Sequence, residues 1–187
     1  MKKILNYVAI ALIATLIVSC GNKDKFTIAK GKVGGLTTKT TIQELETIFK
    51  NDSIIKNLSE GSTGDNYFQD DDEYLVYEKG GKHLLTIVPR EQLDSTSTIK
   101  SVQIFDNRYK TETGLSLAST FLNVNNNNKI NKVETSLASA TLFIDDLNAT
   151  IAIDKEELGL KQTSMQKVTP DQIPDLARIK SLVVWFN

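Results

Sequence analysis

Residues 74–88 read Tyr74-Leu75-Val76-Tyr77-Glu78-Lys79-Gly80-Gly81-Lys82-His83-Leu84-Leu85-Thr86-Ile87-Val88, two apolar stretches on either side of a glycine pair. Glycine accepts the positive φ angles of a tight turn, so Gly80-Gly81 predicts a hairpin between two strands. The apolar stretch from Ile99 to Phe105 adds a third strand. Because strands joined by short turns pair antiparallel, this part of the chain predicts an antiparallel sheet.

The same kind of pattern returns later in the chain. Thr141 to Ile144 and Thr150 to Ile153 flank the turn sequence Asp145-Asp146-Leu147-Asn148, and Ser181 to Phe186 forms a closing strand. A short strand is predicted at Phe26–Ile28, ahead of both patterns. The stretches Asn57 to Asp72 and Gly159 to Asp175 are rich in turn-forming residues and predict loops.

A helix is predicted before each group of strands. Thr41 and Glu44 have the spacing of a capping box, and Ile42, Leu45, Ile48 and Phe49 then fall on one helical face. In the second group Ser119 or Thr120 opens a similar segment, with Phe121 and Val124 on its apolar face. We expect this second helix to be short because Asn125 to Asn128 follow, and asparagine favours turns.

These two patterns are related in sequence. Gly35 to Ile42 resembles Gly114 to Phe121 at a separation of 79 residues, and Ile99 to Val102 resembles Ile179 to Leu182 at a separation of 80. We therefore predict an α+β fold made of tandem duplicated helix-plus-antiparallel-sheet units, with the helices packed on one face of the sheet. The sequence leaves open whether the two halves share one continuous sheet.

The start of the chain has the features of a lipoprotein leader. Met1-Lys2-Lys3 is basic, Ile4 to Val18 is apolar, and Ile17-Val18-Ser19-Cys20 has the form of a lipobox. The competing interpretation is a membrane anchor, but the apolar core of about 15 residues is shorter than the ~20 that a spanning helix needs. We predict that residues 1–19 are a signal peptide and that residues 20–25 are the lipidated Cys20 and a short tether. Residues 26–187 then form one globular domain of two similar halves, about 26–107 and 108–187.

Composition limits the possible chemistry. The chain has 22 basic and 23 acidic residues, and loss of Lys2 and Lys3 with the leader makes the balance more acidic, which does not favour nucleic acid as a partner. Cys20 is the single cysteine, so its lipidation would exclude disulfides and cysteine metal sites from the mature domain. With 40% hydrophobic and 24% charged residues, the composition is that of a globular domain with a core.

Several short motifs resemble those of one protein family. They are Val33-Gly34-Gly35-Leu36 followed by Thr40-Thr41, Ile99-Lys100-Ser101-Val102, Thr113-Gly114 followed by Ser119-Thr120-Phe121, and Ile179-Lys180-Ser181-Leu182-Val183-Val184-Trp185. On these residues the chain resembles the RpoE (sigma-E)-regulated lipoproteins, a bacterial family of unknown function. The resemblance implies an envelope lipoprotein, and it implies no catalytic residues. The arrangement of two tandem units is also similar to that of secreted β-lactamase inhibitors, in architecture alone.

Candidate catalytic residues are few. Ser53-Ile54-Ile55-Lys56 and Ser164-Met165-Gln166-Lys167 fit the SxxK pattern of penicillin-recognising enzymes, but the SDN and KTG elements are missing. With 13 serines and 19 lysines in the chain, about one such match is expected by chance, so two matches are background. His83 is the single histidine, so any Ser-His-Asp triad would depend on it. We expect His83 to lie at an exposed strand end.

Candidate binding residues have structural alternatives. Asp70-Asp71-Asp72-Glu73, with Asp65, could supply calcium ligands, although the sequence lacks EF-hand spacing and a solvated loop is the simpler interpretation. Gly31 to Gly35 lacks P-loop spacing, and Gly35 and Gly114 are better explained as turn positions with positive φ. Of Trp185 and Phe186, one should be in the core and the other partly exposed.

The sequence thus predicts a non-catalytic envelope lipoprotein with a binding or support role, with envelope stress as the candidate setting of that role and without cofactor or metal. The alternative is a membrane-anchored inhibitor of a cell-wall hydrolase or peptidase. Its partners would be the membrane, through the lipid on Cys20, and an envelope protein or cell-wall component. Gly21 follows the cysteine where aspartate would signal inner-membrane retention, which favours the periplasmic side of the outer membrane.

Overall fold

The computed structural model describes residues 24–59, 71–161 and 166–187. Within these ranges the chain forms eleven strands in two antiparallel sheets, and its longest helix has 7 residues. The prediction of an α+β fold with helices packed on the sheet is therefore wrong, because the fold is mostly β. The predicted first helix begins as a 3-10 turn at Ile42–Glu44 and continues as a single α-helical turn, α1, at Leu45–Ile48.

The smaller sheet has three strands of two residues each. Its strands are β1 (Ile28–Ala29), β2 (Lys32–Val33) and β3 (Leu36–Thr37), joined in that order. A 3-10 turn at Asp24–Phe26 precedes them. The predicted strand at Phe26–Ile28 therefore lies slightly too early, and the two strands that follow it were not predicted.

The larger sheet has eight strands: β4 (Ser53–Asn57), β5 (Glu73–Tyr77), β6 (His83–Pro89), β7 (Ile99–Ile104), β8 (Ile130–Thr135), β9 (Ser139–Ile144), β10 (Ala149–Asp154) and β11 (Ser181–Trp185). Their order in the sheet is β4-β5-β6-β7-β11-β10-β9-β8. The first four strands run consecutively from one edge to the middle, and the last four run from the opposite edge to the middle. Their central neighbours, β7 and β11, pair antiparallel with Val102 opposite Val184. All eight strands thus form one continuous sheet.

The predicted hairpins are confirmed, with small differences in their ends. Gly80 and Gly81 both have positive φ, 109° and 87°, in the turn between β5 and β6. The edge strands β4 and β8 were missed. In β4, Ile54 and Ile55 are adjacent, so the stretch lacks the alternation of polar and apolar residues that indicates a half-buried strand.

The core lies against one face of the large sheet. Alternate residues of each strand point to this face, which is the geometry that a pleated strand imposes. Ile42, Leu45 and Phe49 of the first helical segment and the residue after it, and Phe121 and Val124 of α2 (Phe121–Asn127), are buried in the same core. The buried strand residues include Val76, Leu85, Ile87, Val102, Ile104, Leu142, Ile144, Ile151, Ile153, Leu182 and Val184.

The two helical segments begin in the same way. The backbone N–H of Thr41 donates to Glu44 Oε2 at 2.8 Å, and that of Thr120 donates to Asn123 Oδ1 at 3.0 Å. Both are capping boxes, so the box predicted at Thr41 is confirmed and Thr120 opens α2. The helix continues through Asn127, and its last turn is supported by side-chain hydrogen bonds. Asn127 Nδ2 donates to the carbonyl of Asn123, and Asn128 Nδ2 donates to the carbonyl of Val124.

Candidate functional site

Several sequence predictions fall outside the described residues. These are the leader 1–19, the lipidation site Cys20, the acidic residues Asp65 and Asp70, and Ser164 of the second SxxK match. None of the helices formed by the described residues has the length and apolar character needed to cross a membrane.

The first SxxK match lies on edge strand β4. Successive residues of a strand point to opposite faces, so Ser53 and Lys56, three positions apart, lie on opposite faces of the sheet. Lys56 Nζ donates instead to Glu46 Oε1 at 2.9 Å. This geometry does not bring the serine and the lysine together as an acyl-enzyme site requires.

The acidic cluster has mainly structural contacts. Asp72 is fully buried, and its carboxylate accepts hydrogen bonds from the N–H and Oγ of Ser59 and from the N–H of Leu93. Burial acts to raise the pKa of Asp72, but these hydrogen bonds outweigh it and lower the pKa. Lys100 Nζ pairs with Asp71 at 3.1 Å. Among the described residues, no three metal-ligating side chains come together, and Asp72 fixes the loops on either side of it.

The glycine-rich turn differs from the prediction in one residue. Gly34, with φ of 56°, and Gly114, with φ of 85°, have positive φ, whereas Gly35 does not. Gly35 is instead packed close to Ile48, whose Cγ2 would lie 3.1 Å from an added Cβ. A pocket of about 260 Å³ lies beside this turn, with the ion pair Lys25–Asp52, at 3.6 Å, among its lining residues.

His83 is half-buried, so the expectation of an exposed strand end is wrong. Its ring stacks between Tyr77, with centroids 4.6 Å apart, and Phe105, with centroids 3.9 Å apart. Nε2 lies 3.1 Å from both Thr86 Oγ1 and the carbonyl oxygen of Leu85. Burial lowers the pKa of His83 below its ordinary value of 6.5, against the opposing effects of the Leu85 carbonyl and Glu73. The neutral ring is therefore favoured.

Trp185 and Phe186 divide as expected. Phe186 is buried, and the half-exposed Trp185 lies on the sheet face opposite the core, with its Nε1 donating to Thr150 Oγ1 at 3.2 Å. This second face of the sheet, called the open face below, is the main candidate functional surface. One row of it crosses all eight strands in register: Ile55, Leu75, Thr86, Gln103, Val183, Thr150, Phe143 and Lys132.

The middle of the open face is uncharged. On the four central strands the side chains of the open face are Thr86, Val88, Ser101, Gln103, Thr150, Ala152, Val183 and Trp185, with the charged Asp154 at the last position of β10. Thr86 and Ser101 are buried. Charged residues lie toward its margins, at Glu73, Lys132, Glu134 and Asp154. Aromatic side chains flank the centre, with Tyr77 and Phe105 toward one side and Phe143 and Trp185 toward the other.

The sequence contains a signal for this surface. A sheet with one solvated face normally alternates apolar residues on the core side with polar residues on the other side. In β6, β7 and β11 the second set of positions holds threonine, serine, glutamine, valine and tryptophan, and none of these residues is charged. Depletion of charged side chains is also a feature of the centre of a protein interface.

Comparison with known proteins gives a relation at the level of the fold. No protein-family model matches the chain, and no curated protein sequence matches it significantly. The crystal structure of the uncharacterized protein yfeY from Escherichia coli is similar, with a TM-score of 0.52 and 11% sequence identity. The similarity covers 85% of this chain and 99% of that one. The chain therefore shares the fold of an uncharacterized bacterial protein.

Proposed function

We propose that this chain is a lipid-anchored bacterial envelope protein that binds a protein partner through the open face of its sheet and catalyses no reaction. Its resemblance to the RpoE-regulated lipoproteins, and its fold in common with an uncharacterized Escherichia coli protein, support the assignment to that kind of protein. Cys20 would carry the lipid, and residues 20–25 would tether the domain, most simply to the periplasmic side of the outer membrane.

The observation that carries the binding role is the uncharged middle of the open face. Protein interfaces are depleted in charged residues at their centre and enriched in tyrosine, tryptophan and phenylalanine, with a polar rim. The open face follows this arrangement, with Trp185, Phe143 and Tyr77 around uncharged Gln103 and Val183. Its charged side chains stand at the margins.

The size of the open face favours a macromolecule over a small ligand. Eight strands spaced about 4.8 Å apart span about 34 Å, which is the width of a small domain. A standard protein interface buries about 800 Å² on each partner, and a continuous eight-stranded face can supply an area of that order. A small metabolite would instead require a deep concave site.

The absence of catalysis is supported by how the candidate catalytic groups are engaged. Lys56 is paired with Glu46, Asp72 accepts three hydrogen bonds from loop groups, and the His83 ring is stacked between two aromatic rings. None of these three side chains converges with another on a common point of the open face. Each of these side chains would have to lose its structural partner before it could take part in a catalysed reaction.

Site-specific photo-cross-linking in living cells tests the proposal. A photoreactive residue at Gln103, in the middle of the open face, should capture a discrete partner protein. The same residue at Leu176, which is 77% exposed in the loop before β11, should not. Equal capture at both positions, or none at Gln103, would contradict the binding surface.

The anchor is tested separately. The Cys20→Ser variant should lose incorporation of a labelled fatty acid. Retention of the label in this variant would contradict lipidation at Cys20.

The alternative, an anchored inhibitor of a cell-wall hydrolase or peptidase, could use the same surface. It predicts that the protein captured at Gln103 is such an enzyme and that the purified domain lowers its activity. Capture of a protein with no hydrolytic activity would leave the general binding role in place and remove the inhibitor.

A further inference from the structure

The open face has two structurally equivalent positions, one in each group of four strands. Leu85 pairs with Ile104 in the first group, and Ala149 pairs with Val184 in the second. The next residue along each strand is a threonine, Thr86 in β6 and Thr150 in β10. These two threonines therefore occupy equivalent positions on the open face. The aromatic residues that follow the paired residues of β7 and β11, Phe105 and Trp185, match in the same way.

Backbone contacts support this equivalence. The N–H of Phe105 donates to the carbonyl of Leu84 at 3.0 Å, and the N–H of Trp185 donates to the carbonyl of Asn148 at 2.8 Å. The two acceptors are equivalent as well, because Leu84 immediately precedes Leu85 and Asn148 immediately precedes Ala149. The two rings stand in comparable positions beside a threonine.

At the first position a planar group of the chain itself lies against the aromatic ring. The His83 imidazole stacks on Phe105 with centroids 3.9 Å apart and an interplanar angle of 19°, and its Nε2 contacts Thr86 Oγ1. Tyr77 closes the other side of the imidazole. The space above this threonine is therefore filled by a flat ring with a nitrogen that hydrogen-bonds.

At the second position the matching space is a pocket of about 220 Å³. It is lined by Phe143, Ile144, Asp145, Asn148, Ala149, Thr150 and Trp185. The register that equates Leu85 with Ala149 also equates Val76 with Ile144, so the residue that corresponds to Tyr77 is Asp145. A carboxylate thus stands where the first position has a phenol ring.

We propose that the pocket between Phe143 and Trp185 receives an arginine side chain of the protein partner, whose guanidinium stacks on Trp185 and pairs with Asp145. This inference rests on the proposed function and names the group that the open face recognises. A guanidinium is planar like the imidazole of His83, stacks on aromatic rings, and presents donors in a plane suited to a carboxylate. Asp145 Oδ1 accepts from Asn131 Nδ2 at 3.2 Å, which orients the carboxylate.

Neighbouring charges are compatible with a cation here. Lys132 Nζ lies 5.2 Å from the centroid of the Phe143 ring, and its like charge would oppose a guanidinium unless it were compensated. The ammonium of Lys132 is paired with Glu134, so its charge is compensated locally. Thr150 Oγ1 accepts from the Trp185 indole, and this contact fixes the ring at the pocket.

Trp185 is the single tryptophan of the chain, so its indole N–H signal in NMR reports on this pocket. The probe is N-acetyl-arginine methylamide, compared with the uncharged, equally planar N-acetyl-citrulline methylamide. The arginine probe should shift the Trp185 signal saturably, and the citrulline probe should bind about tenfold more weakly, since it lacks the charge-assisted pairing. Tri-N-acetylchitotriose tests whether the pocket prefers a sugar.

Two matched variants complete the test. Asp145→Asn should reduce binding of the arginine probe to the level of the citrulline probe, and Asp146→Asn, which changes the adjacent carboxylate outside the pocket, should leave it unchanged. Circular dichroism checks that both variants are folded. If Asp145→Asn is unfolded, Thr150→Val replaces it as the pocket variant. The inference is overturned if the arginine probe gives no saturable shift, if arginine and citrulline probes bind equally, or if the sugar binds better. Because partner capture at Gln103 does not depend on any probe, its success beside a negative result here would reject the arginine pocket alone.

Discussion

Arg108 holds the fully buried carboxylate of Asp106, with Nη2 at 2.6 Å and Nε at 2.9 Å from Asp106 Oδ2. The same guanidinium makes two hydrogen bonds to Glu78, at 3.0 and 2.9 Å, and lies 4.5 Å from the centroid of the Phe26 ring. Lys82 adds an ion pair to Asp106 at 3.0 Å. One arginine thus joins the start of the domain, the β5–β6 hairpin and the end of β7.

Replacing Asp106 should destabilise the fold in a pH-dependent way. Burial acts to raise the pKa of Asp106, but hydrogen bonds from Arg108 and Lys82 outweigh it and hold the pKa at about 2, below the ordinary value of 3.8. A lowered pKa means that this stabilisation is present above pH 3.8 and is lost as the pH falls toward 2. Asp106→Asn should lower the free energy of unfolding at pH 7 by about 2 kcal/mol, a value reduced for the partial exposure of Arg108.

Urea denaturation at pH 7 and at pH 2.5 provides the measurement. The difference between the wild-type protein and Asp106→Asn should be smaller at pH 2.5 than at pH 7. Asp71→Asn, which removes an exposed carboxylate paired with Lys100, is the control and should change stability by less than about 1 kcal/mol. An Asp106→Asn effect that is equally large at both pH values would show that the charge of this carboxylate is not the cause.

The capping boxes give a second prediction. Thr41→Ala and Thr120→Ala should each lower the free energy of unfolding by about 1 kcal/mol, because they remove the hydroxyl groups that bond to Glu44 and Asn123. Thr41→Ser and Thr120→Ser keep the hydroxyl and should cost much less. Chemical denaturation of the four variants tests this, and equal losses for alanine and serine would assign the effect to the methyl group instead.

The hairpins were predictable because their signals are local. Gly80-Gly81 needs no knowledge of the rest of the chain to indicate a turn, and the Thr41 capping box lies within four residues. The fold class was not predictable in the same way. The apolar spacing of Ile42, Leu45 and Ile48 is helical, but only one α-helical turn forms. The backbone of this segment also makes a long-range hydrogen bond, in which Ile42 N donates to the carbonyl oxygen of Ser97 at 3.0 Å.

The repeat at a separation of 80 residues already relates Phe105 to Trp185, but the open face itself depends on strand pairing. Only the pairing of β7 with β11 at the centre of one sheet places both rings on a single surface. The sequence likewise gave no reason to expect His83 to lie between Tyr77 and Phe105. That stack requires the irregular register between Val76 and Tyr77, where β6 contains one extra residue.

The turn at Gly34 gives a third prediction. Gly34 has φ of 56°, and a Cβ added there would lie 2.5 Å from the carbonyl oxygen of Lys25. Gly34→Ala should therefore lower the free energy of unfolding by about 2 kcal/mol, from backbone strain and displacement of the adjoining segment. Gly80→Ala is a matched control, since Gly80 also has positive φ but its added Cβ would meet nothing within 4 Å. Thermal unfolding should rank Gly34→Ala as the less stable variant, and the reverse order would mean that close packing at Lys25 is unimportant.

The stacked histidine gives the last prediction, a dependence of stability on mildly acidic pH. Burial lowers the pKa of His83 in the folded protein, so in the range below 6.5 the unfolded chain binds a proton more readily than the folded one. The contribution of His83 to the free energy of unfolding should therefore decrease as the pH falls from 6.5 to its folded pKa, and become constant below it. His83→Gln cannot take up this proton and should flatten that part of the curve, while Tyr77→Phe keeps the ring stack and should retain it. Chemical denaturation of the three proteins between pH 7.5 and pH 4.5, at steps of about half a unit, measures the slopes. A wild-type protein whose stability rises as the pH falls through this range, or a His83→Gln variant with an unchanged slope, would show that His83 is not held in its neutral form by the stack.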